Sequence, residues 1–191
     1  MAYIQSDYRD FLSKPHTHYD YLILDPPWRF DSKPPVLSEN QLTYNLWNDN
    51  VKDLQWILMN TDADYIFLWT CNSIIDSNIK SLEGTPYRYK TMLTWVKQTA
   101  KGNLFWGLGN TFRNCTEQMI VLSKKKAKAL NLNMRNVIFY PAGKRTIKPK
   151  EFEKELITKL TDKGLSGCYL FCGEDASGVL PGECCDFVDI V

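Results

Sequence analysis

Long apolar runs are missing from this sequence: no stretch of about 18 apolar residues occurs, so a membrane-spanning helix is not expected. Residues 1–8 also lack the basic, then apolar, then small-residue order of a secretory signal. Histidine is scarce, with only His16 and His18, and both stand far in sequence from the six cysteines. Those cysteines do not have zinc-ligand spacing, since Cys168 and Cys172 flank an apolar run and Cys184 and Cys185 are adjacent. No metal site is expected. A chain of 191 residues can bury a core without disulfide staples, so Cys71, Cys115 and the other thiols are expected to be reduced. Repeats, low-complexity tracts and a second-domain boundary are absent too. The expectation is one domain over residues 1–191, soluble in a reducing, cytoplasmic compartment.

Net charge is nearly absent as well, at +1, which at first argues against a polyanionic partner. Its distribution reverses that argument. Residues 97–150 hold twelve Lys or Arg against a single acid, Glu117, a local balance of +11. Such asymmetry on a compact domain is what a phosphate-tracking surface looks like in sequence, with Lys124, Lys125 and Lys126 as its densest point. A solvated loop face is the other reading of that cluster.

Short β-rich runs recur at 21–24, 65–69, 92–96, 119–122, 137–140, 168–171 and 187–191. Between them, 51–59, 73–82 and 150–160 carry apolar spacings of three and four that predict amphipathic helices. Alternating strands and helices imply an α/β fold: a mostly parallel, Rossmann-like sheet with helices on both faces. The terminal run is expected as an edge or antiparallel strand. Sheets of this kind bind ligands beyond the carboxyl ends of their strands, so the residues after each run matter most. Two segments read as loops, 29–50 and 102–114, and the second carries enough large apolar side chains to suggest a binding lid.

The first β-run ends in Asp25, Pro26, Pro27 and Trp28. Each type has a task in methylating an aromatic amine. Adenine N6 is a poor nucleophile because its lone pair is delocalised into the ring. A carboxylate and a backbone carbonyl, both accepting from the amino group, localise that pair. Asp25 supplies the first acceptor and the Pro26 carbonyl the second, aimed by Pro27, which holds the preceding residue extended. Trp28 offers a flat face to a base rotated out of its stack. In-line transfer needs positioning and electrostatics and no covalent enzyme intermediate. A strand end followed by a proline turn and a core tryptophan is the structural alternative. Four specified residues in order arise by chance in fewer than about one in a thousand chains of this size.

The tetrapeptide resembles the catalytic motif of N6-adenine methyltransferases. That family includes the catalytic subunit of the eukaryotic messenger-RNA adenosine methyltransferase and small bacterial and phage DNA adenine methyltransferases. Relatives acting on glutamine or cytosine tend to carry Asn or Ser in place of Asp25 and Tyr or Phe in place of Trp28. The resemblance covers nearly the whole chain and implies S-adenosylmethionine as cofactor. Asp7 and Tyr8, placed eighteen residues before the catalytic aspartate, match a family pair that lies against the cofactor's adenine. Tyr44 resembles a tyrosine near the target adenine. Residues 93–97 (LTWVK) resemble a strand whose last residue, Lys97, stands over the active site. Residues 106–118 (WGLGNTFRNCTEQ) resemble the bacterial family's loop, which implies that Arg113 and Asn114 line the site and that Arg113 meets a phosphate.

Lys148 and Pro149 resemble a Lys-Pro element whose lysine contacts the cofactor's carboxylate. Residues 169–177 (YLFCGEDAS) resemble the strand and glycine loop that hold the cofactor. Phe171 would wall it, Gly173 give the turn, and Glu174 or Asp175 face polar groups, with Glu183 a rival for the ribose. The Arg, His and Asn of the eukaryotic pattern are replaced here by Gly173, Asp175 and Ala176. The catalytic motif precedes the glycine loop, the circularly permuted, beta-class order. DNA is the expected substrate and RNA the alternative, since this length leaves little room for accessory RNA-binding zinc modules. A non-catalytic partner subunit is disfavoured by the intact Asp25–Trp28 motif. A homodimer or heterodimer supplying target recognition is a further expectation.

Overall fold

The computed structural model describes residues 3–5, 9, 12, 18–30, 47–109, 111–143, 147–170 and 185–189. Among them are strands β1 (Tyr3–Gln5), β2 (Tyr19–Leu24), β3 (Ala63–Thr70), β4 (Tyr87–Gln98), β5 (Thr116–Lys124), β6 (Val137–Pro141), β7 (Gly167–Leu170) and β8 (Cys185–Asp189). The helices are α1 (Asn50–Asn60), α2 (Ile75–Lys80) and α3 (Lys150–Thr161). All eight strands form one sheet in the order β1-β8-β7-β2-β3-β5-β4-β6.

Alternation along the strands decides which face each side chain covers. On β2 and β3, Leu22, Leu24, Ile66 and Leu68 pack on one face with Leu54, Ile57 and Leu58 of α1. Tyr21, Ile23, Tyr65, Phe67 and Trp69 pack on the other with Phe152, Leu156, Ile157 and Leu160 of α3. The central strands are buried on both faces, which is why they read as unbroken apolar runs. The α/β sheet with helices on both faces therefore stands as expected. Close approach is needed where β7 begins: Gly167 pairs with Tyr21 in register, and a Cβ there would fall 2.2 Å from the Tyr21 ring.

Helix boundaries follow local chemistry. Asp49 caps α1, its Oδ1 accepting from the N–H groups of Val51 and Lys52, both at 3.1 Å. Pro149 precedes α3 and keeps Lys148 out of helical backbone.

One expectation is corrected. The terminal run forms β8, which is neither an edge nor antiparallel: it lies parallel between β7 and β1. The three-residue β1 covers its flank. The reversed strand is β5, antiparallel to both β3 and β4. A parallel return from β4 would need a crossover back to the other end of the sheet. Instead the chain after β4 folds on itself: Phe105 N–H donates to the Lys97 carbonyl at 2.9 Å, and Lys97 N–H to the Cys115 carbonyl at 2.7 Å. The chain re-enters the sheet where it left, bringing the start of β5 beside the carboxyl ends of its neighbours.

No helix among the described residues is long and apolar enough to cross a membrane.

Candidate active site

Strand β2 has β7 on one side and β3 on the other, so the chain's progress through the sheet reverses at its carboxyl end. Asp25 stands there, its N–H donating to the Leu170 carbonyl at the end of β7 (3.3 Å). Trp28 N–H turns back to the Pro26 carbonyl at 2.9 Å, closing a three-residue turn about Pro27, whose fixed φ suits that geometry. The Pro27 carbonyl in turn accepts from Trp47 N–H at 3.0 Å. The Pro26 oxygen is thus held in a fixed direction and keeps a second lone pair for another donor.

Around Asp25 four charges alternate in sign. Lys148 Nζ lies 2.8 Å from Asp25 Oδ1 and 3.6 Å from Glu117 Oε2, while Glu117 Oε1 takes a further ion pair from Lys97. Sheet register explains the second half of this chain. Trp95 of β4 faces Glu117 of β5 across the ladder, and Lys97, two residues on, is its diagonal neighbour on the same face. Both ammonium groups also lie over indole rings, Lys97 at 4.9 Å from the Trp95 centroid and Lys148 at 5.8 Å from that of Trp69.

Burial raises the Asp25 carboxyl above the usual carboxylate range, and the Lys148 ammonium offsets this only in part. Burial alone would lower the Lys148 ammonium, but the carboxylates of Asp25 and Glu117 outweigh it and hold the proton on the lysine. The site thus contains a carboxylate with raised proton affinity beside a cation that does not give up its proton.

Beneath this cluster lies Glu153 of α3, which is buried. Its Oε1 accepts from Trp69 Nε1–H at 2.9 Å and from the Tyr169 hydroxyl at 2.6 Å. Burial pushes its carboxyl up to about 7, against those two hydrogen bonds. The folded state therefore retains a proton that an unfolded glutamate releases near pH 4.5. Stability should fall as pH rises from about 4.5 to about 7, by roughly 3 kcal/mol, and level off above. Urea unfolding of Glu153→Gln at pH 5, 6, 7 and 8 should show most of that slope removed; an unchanged slope would contradict the assignment.

A family model, MT-A70, matches residues 19–176, from the first residue of β2 to beyond β7. The chain belongs to this family of N6-adenine methyltransferases. A comparison with curated proteins found no match to the chain. MT-A70 enzymes generally use S-adenosylmethionine, and Asp25, Pro26, Pro27 and Trp28 all fall within the matched residues.

On this MT-A70 sheet the expected site residues divide into three groups. Asp25, Pro26, Pro27, Lys97 and Lys148 gather at one end of it. Lys148, expected at the cofactor's carboxylate, is here the ion-pair partner of Asp25.

A second group is placed elsewhere. Trp28 is not an open stacking face: it is buried, its indole N–H donates to the Trp69 carbonyl at 3.0 Å, and it meets Trp47 edge to face with centroids 5.0 Å apart. Its role in this structure is to pin the loop after β2 to the end of β3. Arg113 and Asn114 lie on the exposed outer part of the 102–114 loop, with the Arg113 guanidinium 5.9 Å from the Trp106 ring centroid. Lys124, Lys125 and Lys126 are at the opposite end of the sheet, because β5 runs antiparallel and carries them away from Glu117 by about 24 Å over the strand Thr116–Lys124. There they border a shallow groove with Thr85 and Arg88, and Lys124 pairs with Asp62.

The third group, Asp7, Tyr8, Tyr44, Phe171, Gly173, Glu174, Asp175 and Glu183, lies outside the described residues. Two site residues were missed in the sequence. Glu117 had a signal, as the lone acid in a strongly basic stretch, which is how a paired internal carboxylate reads. Glu153, one of several acids on an amphipathic helix, had none.

Proposed function

We propose that this chain transfers the methyl group of S-adenosylmethionine to N6 of adenine in DNA, acting on a base rotated out of its stack. The observation that carries this reading is the Asp25 carboxylate beside the turn-held Pro26 carbonyl, at the point where the sheet order reverses. Two acceptors of this kind suit the two hydrogens of an exocyclic amine.

The donor set fits the cofactor: a zwitterion with a sulfonium centre suits a cluster that offers both carboxylates and the Lys148 ammonium. Lys148 would hold its carboxylate, and by the family resemblance Asp7, Tyr8, Phe171, Gly173 and Glu174, Asp175 or Glu183 would hold its adenosine. When bound, it supplies an electrophilic methyl group.

The chain's own groups do the rest. Asp25 and the Pro26 oxygen orient the amine and localise its lone pair. Transfer would exchange the methyl–sulfur bond for the new N–C bond, leaving a neutral thioether and a positive charge on N6, and the surplus N6 proton would pass to Asp25, whose burial has raised its affinity for protons. Lys148 steadies the Asp25 carboxylate without competing for that proton. Support for DNA comes from the resemblance of 106–118 to the loop of the small bacterial enzymes.

The test offers methyl-labelled S-adenosylmethionine with single- and double-stranded DNA and RNA of one sequence, followed by nucleoside analysis. N6-methyladenine in deoxynucleosides is the expected product. Label only in ribonucleosides would transfer the assignment to RNA, and label in neither would refute it.

A further inference from the structure

The loop between β4 and β5 presents large rings to solvent beside the Asp25 cluster. Trp106 is 76% exposed, Phe112 83% and Leu108 75%. A soluble domain leaves such groups together for a partner. The loop has a defined fold of its own. A turn at Thr99, closed by Gly102 N–H at 2.9 Å and requiring φ +80 at that glycine, starts it. Further out, a Cβ on Gly107 would fall 2.1 Å from the Asn114 carbonyl oxygen, and one on Gly109 would fall 2.0 Å from that of Phe112. At these two glycines the sides of the loop meet backbone to backbone.

Charge selects the occupant. Residues 98–116 contain Lys101 and Arg113 and no acid. Arg113 sits over the Trp106 ring, adding a cation at the edge of the aromatic surface. Bare rings interleaved with cations suit unstacked bases on a phosphate backbone, because every base has a π-face and every linkage a negative charge. Duplex DNA keeps its base faces covered and cannot use such rings.

We infer that Trp106 and Phe112, with Arg113 beside them, form a stacking platform for unpaired nucleotides flanking the target adenine, and that the preferred substrate is single-stranded or locally opened. This rests on the nucleic-acid reading of the Asp25 site and adds strandedness to it. Lys97, clamped at the base of the loop by its own N–H and carbonyl, joins the platform to the catalytic cluster.

The experiment measures binding of one labelled adenine-containing DNA oligonucleotide, single-stranded and as duplex, to the wild-type chain, Trp106→Ala, Phe112→Ala and the double variant. Methyl transfer and sedimentation mass are read on the same samples, with Asp25→Asn in parallel. The single strand should bind more tightly than the duplex, and each ring removed should weaken it about 5- to 150-fold. Asp25→Asn should lose transfer and keep binding. If the wild type methylates DNA but the double variant binds the single strand as well as wild type does, the platform is overturned and the catalytic reading survives. Unchanged binding with a fall in sedimentation mass would make the loop an interface between copies, again overturning it. A wild-type chain that neither binds nor methylates the oligonucleotide overturns both.

Discussion

Asp25→Asn is expected to lower the turnover number for methyl transfer by about 10²- to 10⁴-fold while the dissociation constant for nucleic acid changes little. The substitution keeps the shape of the side chain. It replaces one acceptor oxygen with an NH₂ donor and removes the site that receives the N6 proton. Folding should survive, because Lys148 retains Glu117 within 3.6 Å. Asp25→Ala should be at least as damaging to turnover. Single-turnover measurements with saturating nucleic acid check this, since they isolate the chemical step from binding. Activity within a few-fold of wild type in either variant would remove Asp25 from the mechanism.

Lys148→Met should produce the largest loss of stability of any single change in the site. It leaves the Asp25 carboxylate, with 19% of its side chain exposed, and Glu117 without the cation between them. Removing one partner of a buried ion pair costs about 3 to 5 kcal/mol, and the remaining exposure places this case near the lower figure. For a chain of this size that is a drop in Tm of about 6 to 12 °C. The sign of the pH dependence follows from Asp25. Its folded-state carboxyl, already raised, rises further without Lys148, so the variant loses stability as pH climbs through that value. The Tm deficit should therefore be smaller at pH 5 than at pH 8. Adding Asp25→Asn should recover part of it, giving a combined effect smaller than the sum of the single ones. Additive losses would mean that the 2.8 Å pair contributes nothing to folding.

These effects depend on residues scattered through the sequence. Asp25 follows β2, Lys97 is the last residue but one of β4, Glu117 is the second of β5 and Lys148 precedes α3. The Asp-Pro-Pro-Trp run was legible because its neighbours in sequence are its neighbours in the site and each residue type has a chemical task. Lys97 and Lys148 were legible through order and resemblance, although not as partners of a carboxylate. Lys124, Lys125 and Lys126 show the limit of reading charge along a line. Within residues 97–150 they look continuous with Lys97, yet one antiparallel strand separates them from it by most of the sheet's height.

Trp28 makes a related point about residue type. An indole can stack on a base or fill a core, and composition does not distinguish the two. The Trp69 carbonyl and the edge of Trp47 decide for the core.

By itself the sequence determined the alternation of buried strands and amphipathic helices, the proline-stiffened acceptor pair after β2, and the basic, aromatic stretch that follows β4. Those features depend on bonds and spacings within a few residues. Tertiary structure alone decided strand order, the reversal of β5, the interior place of β8, and the alternation Asp25–Lys148–Glu117–Lys97. Pairing between distant strands depends on which apolar faces can be covered together. The register that results, rather than any local preference, sets which charges meet.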